Sequence, residues 1–342
     1  MHSFCAGEGK GDRLLNYVLR RFANFLLLVF LASSLGFLLA SAALDPRANY
    51  LGSNPPISET TIAQKLDQIN ANPDTPIYER YITWGSGVLK GDFGLTIAEQ
   101  EIRPLFGEKI WVSLRLLLIG SVLGSVIGVF IGVISAVRQY KLFDRFTGIS
   151  SFVLLSTPVF LLAITIKFIA IYINQKIGTT LFYTVGEYSP DFQGSTFSLF
   201  VNRLQHLILP TLAVTLGGIA FYSRYQRNSM LDVLSSDHLR TARAKGLTKR
   251  EALFKHGLRL AILPMSTLFA YSFGLLITGA AFTETIFGWY GMGSWFISAI
   301  GQNDANVVSA IVLFSAVLVL FSGFLADVVS AALDPRVRLQ GK

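Results

Sequence analysis

The sequence predicts an all-α membrane protein with six transmembrane helices, and three observations lead there. The chain is 52% hydrophobic but only 15% charged, well under the roughly 25% charge of a soluble domain. Its apolar residues gather into six long runs, 22–44, 112–137, 147–173, 207–222, 263–282 and 307–333, most of them near or above the ~20 residues that carry a helix across a bilayer. Its basic residues gather between alternate runs: Lys10, Arg13, Arg20 and Arg21 before the first, Arg138, Lys141 and Arg145 after the second, a cluster from Arg224 to Arg259 after the fourth, and Arg336, Arg338 and Lys342 at the end. The positive-inside bias then puts these segments, and both termini, in the cytoplasm. A net charge of +8 without aromatic interleaving or zinc-ligand spacing gives no reason to expect a nucleic-acid partner.

The first run exceeds the length of a secretory signal core and leads into SAALDPRANY without a small-residue cleavage site, so it is expected to stay as the first helix. An enlarged extracytoplasmic segment, 45–110, follows. Asn54-Pro55-Pro56 marks a turn, 59–70 reads as a helix, and Pro73 and Pro76 bound another turn. YITWGSGVLKGDFGLTI, with Tyr81 and Trp84, reads equally as an amphipathic element lying on the membrane or as a surface loop. SAALDPR recurs at 41–47 and 330–336; each copy stops a helix at Asp-Pro, and no wider similarity surrounds them.

The second run carries Gly120, Gly124, Gly128 and Gly132, four residues apart and therefore on one helix face, a pattern for close packing against another helix. Pro158 in the third run predicts a kink. Lys167, further along, is expected to snorkel to the outer surface. The fourth run, short for a span, needs 223–226 as a polar end, and the outer loop before it, 174–205, reads as irregular. ETIFGWYGMGSWF, after the fifth run, reads as a re-entrant or tightly turned segment. There Glu284 is equally suited to anchoring the loop or to a substrate gate, and Asp327 in the sixth run to helix capping or an inter-helix polar contact.

Between the fourth and fifth runs lies DHLRTARAKGLTKREALFKHGLRLAILP, too polar to span. Ser236 or Asp237 caps a short helix to Lys245, and Gly246 supplies the positive φ that ends it. Thr248 with Glu251 three positions on is a capping box that starts a second helix. The result, helix, glycine turn, helix on the cytosolic side, suits docking to a soluble partner; attraction to anionic lipid headgroups is the plainer use of the same charge.

RTARAKGLTKREALFKHGLRLAILP resembles the EAA loop of binding-protein-dependent ABC transporter permeases, in the form of the dipeptide, oligopeptide and nickel subfamily. LLNYVLRRFANFLLLVFLASSLGFLL, WGSGVLKGDFGLTI, HLILPTLAVTLGGIAFYSRYQRNSMLDVL, ETIFGWYGMGSWF and ADVVSAALDPRVR resemble that family's other landmarks in the same order, and the chain as a whole resembles a B-type permease subunit of a peptide importer. It departs from the pattern with Tyr290-Gly291 where Pro-Gly is usual, and with SAALDPRANYLGSNPP at the exit of the first helix.

The resemblance implies a type I importer fold: a cytoplasmic 1–21, a first span 22–44, a permease core 111–333 with five spans and a coupling region at 227–262, and a cytoplasmic 334–342. It implies an ATPase-coupling helix on Asp237, His238, Arg240, Thr241, Ala242, Arg243, Ala244 and Lys245, followed by Gly246 and Leu247. Ala242 and Ala244 would permit close approach to the ATPase, and the basic residues would steer docking. It also implies a second permease subunit, two ATPase subunits that bind ATP and magnesium, an extracytoplasmic binding protein delivering a peptide or similar small solute, and a bacterial or archaeal-type cytoplasmic membrane. Pro158 and Glu284 are candidates for the translocation path or its gate. The chain itself carries no GxxxxGK[ST] phosphate loop and no HExxH motif, so no catalytic residue, metal or cofactor is expected in it. An ion-gradient-driven transporter or a non-transporting membrane scaffold are the other readings. The first would call for ionisable residues at the centres of spans, and these are few.

Overall fold

Helices account for nearly all regular structure in the computed structural model, which describes residues 10–52, 54–190, 192–258, 260–262, 265, 268–269 and 281–333. In chain order the helices are α1 (Lys10–Ala43), α2 (Glu59–Gln68), α3 (Ile77–Leu89), α4 (Ile102–Val137), α5 (Leu142–Ser156), α6 (Val159–Ile177), α7 (Thr196–Leu234), α8 (Asp237–Ala244), α9 (Lys249–Ala252), α10 (Ala281–Phe287), α11 (Met292–Gly301) and α12 (Ala305–Leu333). Among the described residues the sole β-bridge joins Leu95 and Glu101. Among the described residues five helices are long and apolar enough to cross a membrane: Val18–Ala43, Ile102–Val137, Val159–Ile177, Thr196–Leu234 and Ala305–Val328. The fifth apolar run, 263–282, falls almost wholly outside the described residues, as do Cys5 and the Asp-Pro-Arg of the second SAALDPR copy.

Exposed leucines and phenylalanines on α1, including Leu27, Phe30, Leu35 and Leu39, would be untenable in water over such a length and mark a lipid-facing surface. The opposite face of α1 packs on α12: a side chain at Gly36 would collide with Val312. Phe22 and Phe25 meet Phe321 and Phe324 edge-on or tilted. Arg21 pairs with Asp327 at 2.9 Å, so Asp327 makes the inter-helix contact rather than a cap.

Two parts of the helix pattern differ from the sequence reading. The third apolar run is not one kinked helix but two helices. Thr157, forced toward extended backbone by the following proline (ψ 121°), closes α5, and Pro158 opens α6. The fourth run is the middle of a helix of 39 residues that contains Pro210. The last ten residues of the supposed irregular outer loop, 196–205, are therefore helical. Ser195 caps α7 by accepting from the Ser198 amide, and the polar residues that disguised its first turns are satisfied inside the protein. Asn202 exchanges hydrogen bonds with Ser189 at 2.9 Å in both directions, and His206 stacks on Tyr183 at 4.3 Å.

The outer segment has its own small core of Ile62, Leu66, Ile69 and Ala71. Ser58 caps α2, and α3 resolves the open reading of 81–97 in favour of a helix followed by a turn. Two side chains at the start of α12 hold this segment to the bundle: Asp304 accepts from the Ile97 amide at 2.8 Å, and Asn306 donates to the carbonyls of Ile69 and Leu95.

Candidate functional site

α8 is built as its residues dictate, with one change at its start. Ser236 occupies the cap position, but its hydroxyl donates back to the Val233 carbonyl at 2.7 Å and does not cap the helix. The far end is a Schellman motif. The Leu247 amide reaches the Ala242 carbonyl, the Gly246 amide reaches that of Arg243, and Gly246 has φ +91°, a conformation costly to any residue with a Cβ. Thr248 and Glu251 then exchange hydrogen bonds, Thr248 amide to Glu251 carboxylate at 2.9 Å and Glu251 amide to Thr248 hydroxyl at 3.2 Å. That bonding, chiefly from Thr248, pulls the Glu251 carboxyl below its ordinary range.

The two sides of α8 differ sharply. Leu239 and Ala242 are buried in a cluster with Ala136 of α4, Met230 of α7, and Ala252, Leu253 and Ala261. Asp237, His238, Arg240, Thr241, Arg243, Ala244, Lys245 and Gly246 are exposed. Ala242, and in part Leu247, are thus the expected contact residues that the structure turns toward this chain's own cluster. The small side chain of Ala242 serves close approach to this chain's own helices.

The four glycines of α4 all face α7. A methyl group at Gly120 would lie 2.9 Å from the Val214 side chain, at Gly124 3.1 Å from the Gly218 Cα, at Gly128 2.8 Å from the Tyr222 Cβ, and at Gly132 2.5 Å from the Ser223 carbonyl oxygen. The helices therefore touch backbone to backbone, and Thr215 adds a hydrogen bond to the Gly120 carbonyl.

A pair that the sequence reading passed over fixes α5 to α7 beside this contact. Arg227 grips Asp144 with both forks of its guanidinium, at 2.5 and 2.8 Å, while the Ser135 hydroxyl and the Tyr140 amide donate to the same carboxylate. The Arg227 hydrogen bonds are the main reason the Asp144 carboxyl is held well below the usual carboxylate range. The available signal was a single acid set among Arg138, Lys141 and Arg145.

At the opposite end of the bundle, Glu284 is completely buried. Its carboxylate accepts from the Ser113 hydroxyl at 2.5 Å and the Ser294 amide at 2.9 Å, and Ser113 in turn accepts from the Met292 amide. This anchors the Gly288–Gly291 turn on α4 and leaves Glu284 no access to solute, so the gate half of its reading is not met here. Lys167 does not snorkel: its ammonium donates to the Ile286 carbonyl at 2.5 Å, one of the last-turn carbonyls that α10 cannot satisfy itself. Pro158 stands at the α5–α6 joint, two residues before Phe160, whose ring packs on Phe282 of α10 at 5.9 Å.

Comparison with known proteins agrees with this architecture. Residues 128–339 match the family model described as binding-protein-dependent transport system inner membrane component. The oligopeptide transport system permease protein OppB of Mycobacterium tuberculosis (strain H37Rv) is 48% identical over 323 residues, covering 94% of this chain and 99% of that protein. The oligopeptide transport system permease protein AppB of Bacillus subtilis is 33% identical, covering 94% and 98%. The di/tripeptide transport system permease protein DppB of Pseudomonas aeruginosa is 32% identical, covering 78% and 82%. With a family match over most of its length and full-length relatives at this identity, the chain belongs to the inner membrane permeases of binding-protein-dependent transport systems.

Proposed function

We propose that this chain is one of two permease subunits of an ATP-driven peptide importer. The partner permease completes the translocation path, an extracytoplasmic binding protein delivers the peptide to the outer loops, and two ATPase subunits, which hold the ATP and magnesium, dock at α8 on the cytosolic side. The chain contributes path and lever and holds no cofactor of its own. The names of the relatives support the peptide substrate, and family membership supports the partners. The positive-inside distribution supports cytoplasmic termini.

The observation that carries the coupling role is the two-sidedness of α8. Its outer surface is polar, basic and unoccupied by this chain, and its inner surface is packed through Leu239 and Ala242 onto α4 and α7. A push on the outer surface is delivered to two helices that are themselves locked together. Motion of the ATPases on closing around ATP would in this way bias the access of the path.

Affinity purification of the tagged complex with Ala244→Glu and Arg243→Glu variants tests this reading, with mass spectrometry identifying subunits and peptide uptake measured in proteoliposomes. Loss of the ATPase subunits and of uptake, with the variant still folded, is the expected result. Retention of fully active ATPases by the folded variants would place coupling elsewhere.

A further inference from the structure

The outer segment holds a pocket of about 510 Å³ that the proposed lever and path do not use. Its walls come from the end of α2, from Thr83 and Trp84 on α3, from the turn at 90–95, and from Glu101 and Arg103 at the start of α4. The turn is fixed by its own hydrogen bonds. The amides of Lys90 and Asp92 both donate to the Gly87 carbonyl, and the Ile102 amide to that of Gly94. Asn306 of α12 holds the carbonyls of Ile69 and Leu95 at the same wall.

Inside this rigid frame the donors are left over. Trp84 is only 8% exposed, with its ring stacked on Phe37 at 4.8 Å, yet its indole N–H has no acceptor. A buried donor without a partner is rare in a native protein and asks for an explanation. Lys90 and Arg103 make no ion pair among the described residues. One turn before Trp84 on the same helix, Arg80 is 5% exposed, its Nε unpartnered and no acid paired with it among the described residues. On the acidic side, Asp92 accepts from the Gly94 amide at 2.9 Å, and neither it nor Glu101 makes an ion pair among the described residues.

A site that sets two cations and one buried neutral donor against two carboxylates fits a ligand that carries both a carboxylate and donors. The volume is that of a pocket for a small molecule, and a short peptide meets the size and the charge pattern together. We propose that this pocket is a peptide subsite on the outer segment, in which the C-terminal carboxylate of a short peptide accepts from the Trp84 indole and from Lys90 or Arg103, while Glu101 takes a peptide N–H. This rests on the peptide reading above.

The test uses the assembled transporter in nanodiscs without binding protein, titrated by calorimetry with trialanine, with trialanine amide, and with acetate. Trp84→Phe keeps an aromatic ring against Phe37 and removes the N–H, with Trp84→Leu as the control for lost ring volume. Lys90→Gln/Arg103→Gln removes the charge. Trialanine should bind the wild type, and the amide, Trp84→Phe and the double variant should each weaken binding roughly tenfold or more, with cooperative thermal unfolding showing that each variant is folded. Equal binding of acid and amide, or affinity unaffected by the variants, overturns the subsite. Acetate binding as tightly as trialanine reduces it to a simple anion site and overturns the peptide assignment. If free peptide does not bind but Trp84→Phe weakens capture of the binding protein, the pocket is a protein-docking surface and the proposal fails. Uptake of trialanine by the wild type with ATP and binding protein separates the two levels. Uptake without pocket binding refutes the subsite alone, and pocket binding without uptake refutes the importer reading alone.

Discussion

Replacing Gly132 by alanine puts a methyl group 2.5 Å from the Ser223 carbonyl oxygen, 2.8 Å from the Gln226 Cβ and 3.0 Å from the Arg227 amide nitrogen. Ordinary contact between carbon atoms lies at about 3.5–4.0 Å, so α7 must withdraw by the order of 1 Å. Two of the three neighbours are backbone atoms, which cannot turn aside as a side chain would. Overpacking of this kind costs typically ~1–3 kcal/mol, offset by the roughly 1 kcal/mol that alanine gains over glycine within a helix. Gly217 on α7 provides the control, because a methyl there meets nothing within 4 Å and only the propensity gain remains. Thermal unfolding of the detergent-purified chain, followed by tryptophan fluorescence, should therefore move in opposite directions: down for Gly132→Ala and up, or unchanged, for Gly217→Ala. Gly124→Ala, at 3.1 Å from its nearest neighbours, should fall between them. A rise in midpoint for Gly132→Ala equal to that for Gly217→Ala would mean that α4 and α7 do not touch through the glycine face.

Arg227→Ala leaves the buried Asp144 carboxylate without its cation and should destabilise by about 3 kcal/mol or more, measured by the same unfolding assay. Because the folded Asp144 carboxyl is depressed below its unfolded value of about 3.9, the stability it supplies is fully present above that value. It is lost only as pH falls below it toward the folded pKa, so unfolding midpoints of wild type and Asp144→Asn should converge below about pH 4 and stay apart from pH 5 to 8. Gly246→Ala forces a Cβ into the left-handed region and should cost ~1–2 kcal/mol at the α8 terminus. Limited proteolysis within 237–248 should report this as faster cleavage. Ala242→Glu should expose the Leu239–Met230 cluster and lower the unfolding midpoint, whereas Ala244→Glu should leave it unchanged. Equal effects of these two would contradict the assigned faces of α8. Ser113→Ala, removing partners of both Glu284 and the Met292 amide, should destabilise by about 1–3 kcal/mol in the same assay.

Periodicity and punctuation made much of this molecule legible in its sequence. Glycines at intervals of four lie on one face by helix geometry alone, and the Gly246 turn and the Thr248–Glu251 box are local devices that need no tertiary knowledge. What escaped was set by partners distant in the chain. Asn202 reads as a loop residue because nothing local says that Ser189 will meet it. Lys167 read as surface-seeking because its acceptor, the Ile286 carbonyl, lies 119 residues away. The face of Ala242 was misassigned for the same reason. Within an eight-residue helix the positions compatible with a partner and those compatible with the chain's own core are both small and apolar, and only the placement of α7 and α9 separates them. Pro158 shows a limit of another kind: a proline can bend a helix or end it, and the outcome turns on whether the residue before it stays helical, which Thr157 does not.

An interface in which glycines bring main chain against main chain leaves few side-chain rotamers to exchange and so few intermediate arrangements in which to dissipate a load. α4 and α7 are consequently built to move as one unit, with little repacking between them to absorb a displacement. Compliance has to reside where helical hydrogen bonding lapses, and between Ser156 and Val159 the ladder is interrupted: Thr157 bonds only backward, to the Val153 carbonyl of α5, and Pro158 only forward, accepting from Leu161 and Leu162 of α6. The division into a stiff member and a hinge is thus written in two residue types, glycine where movement must be passed on and proline where it can be taken up.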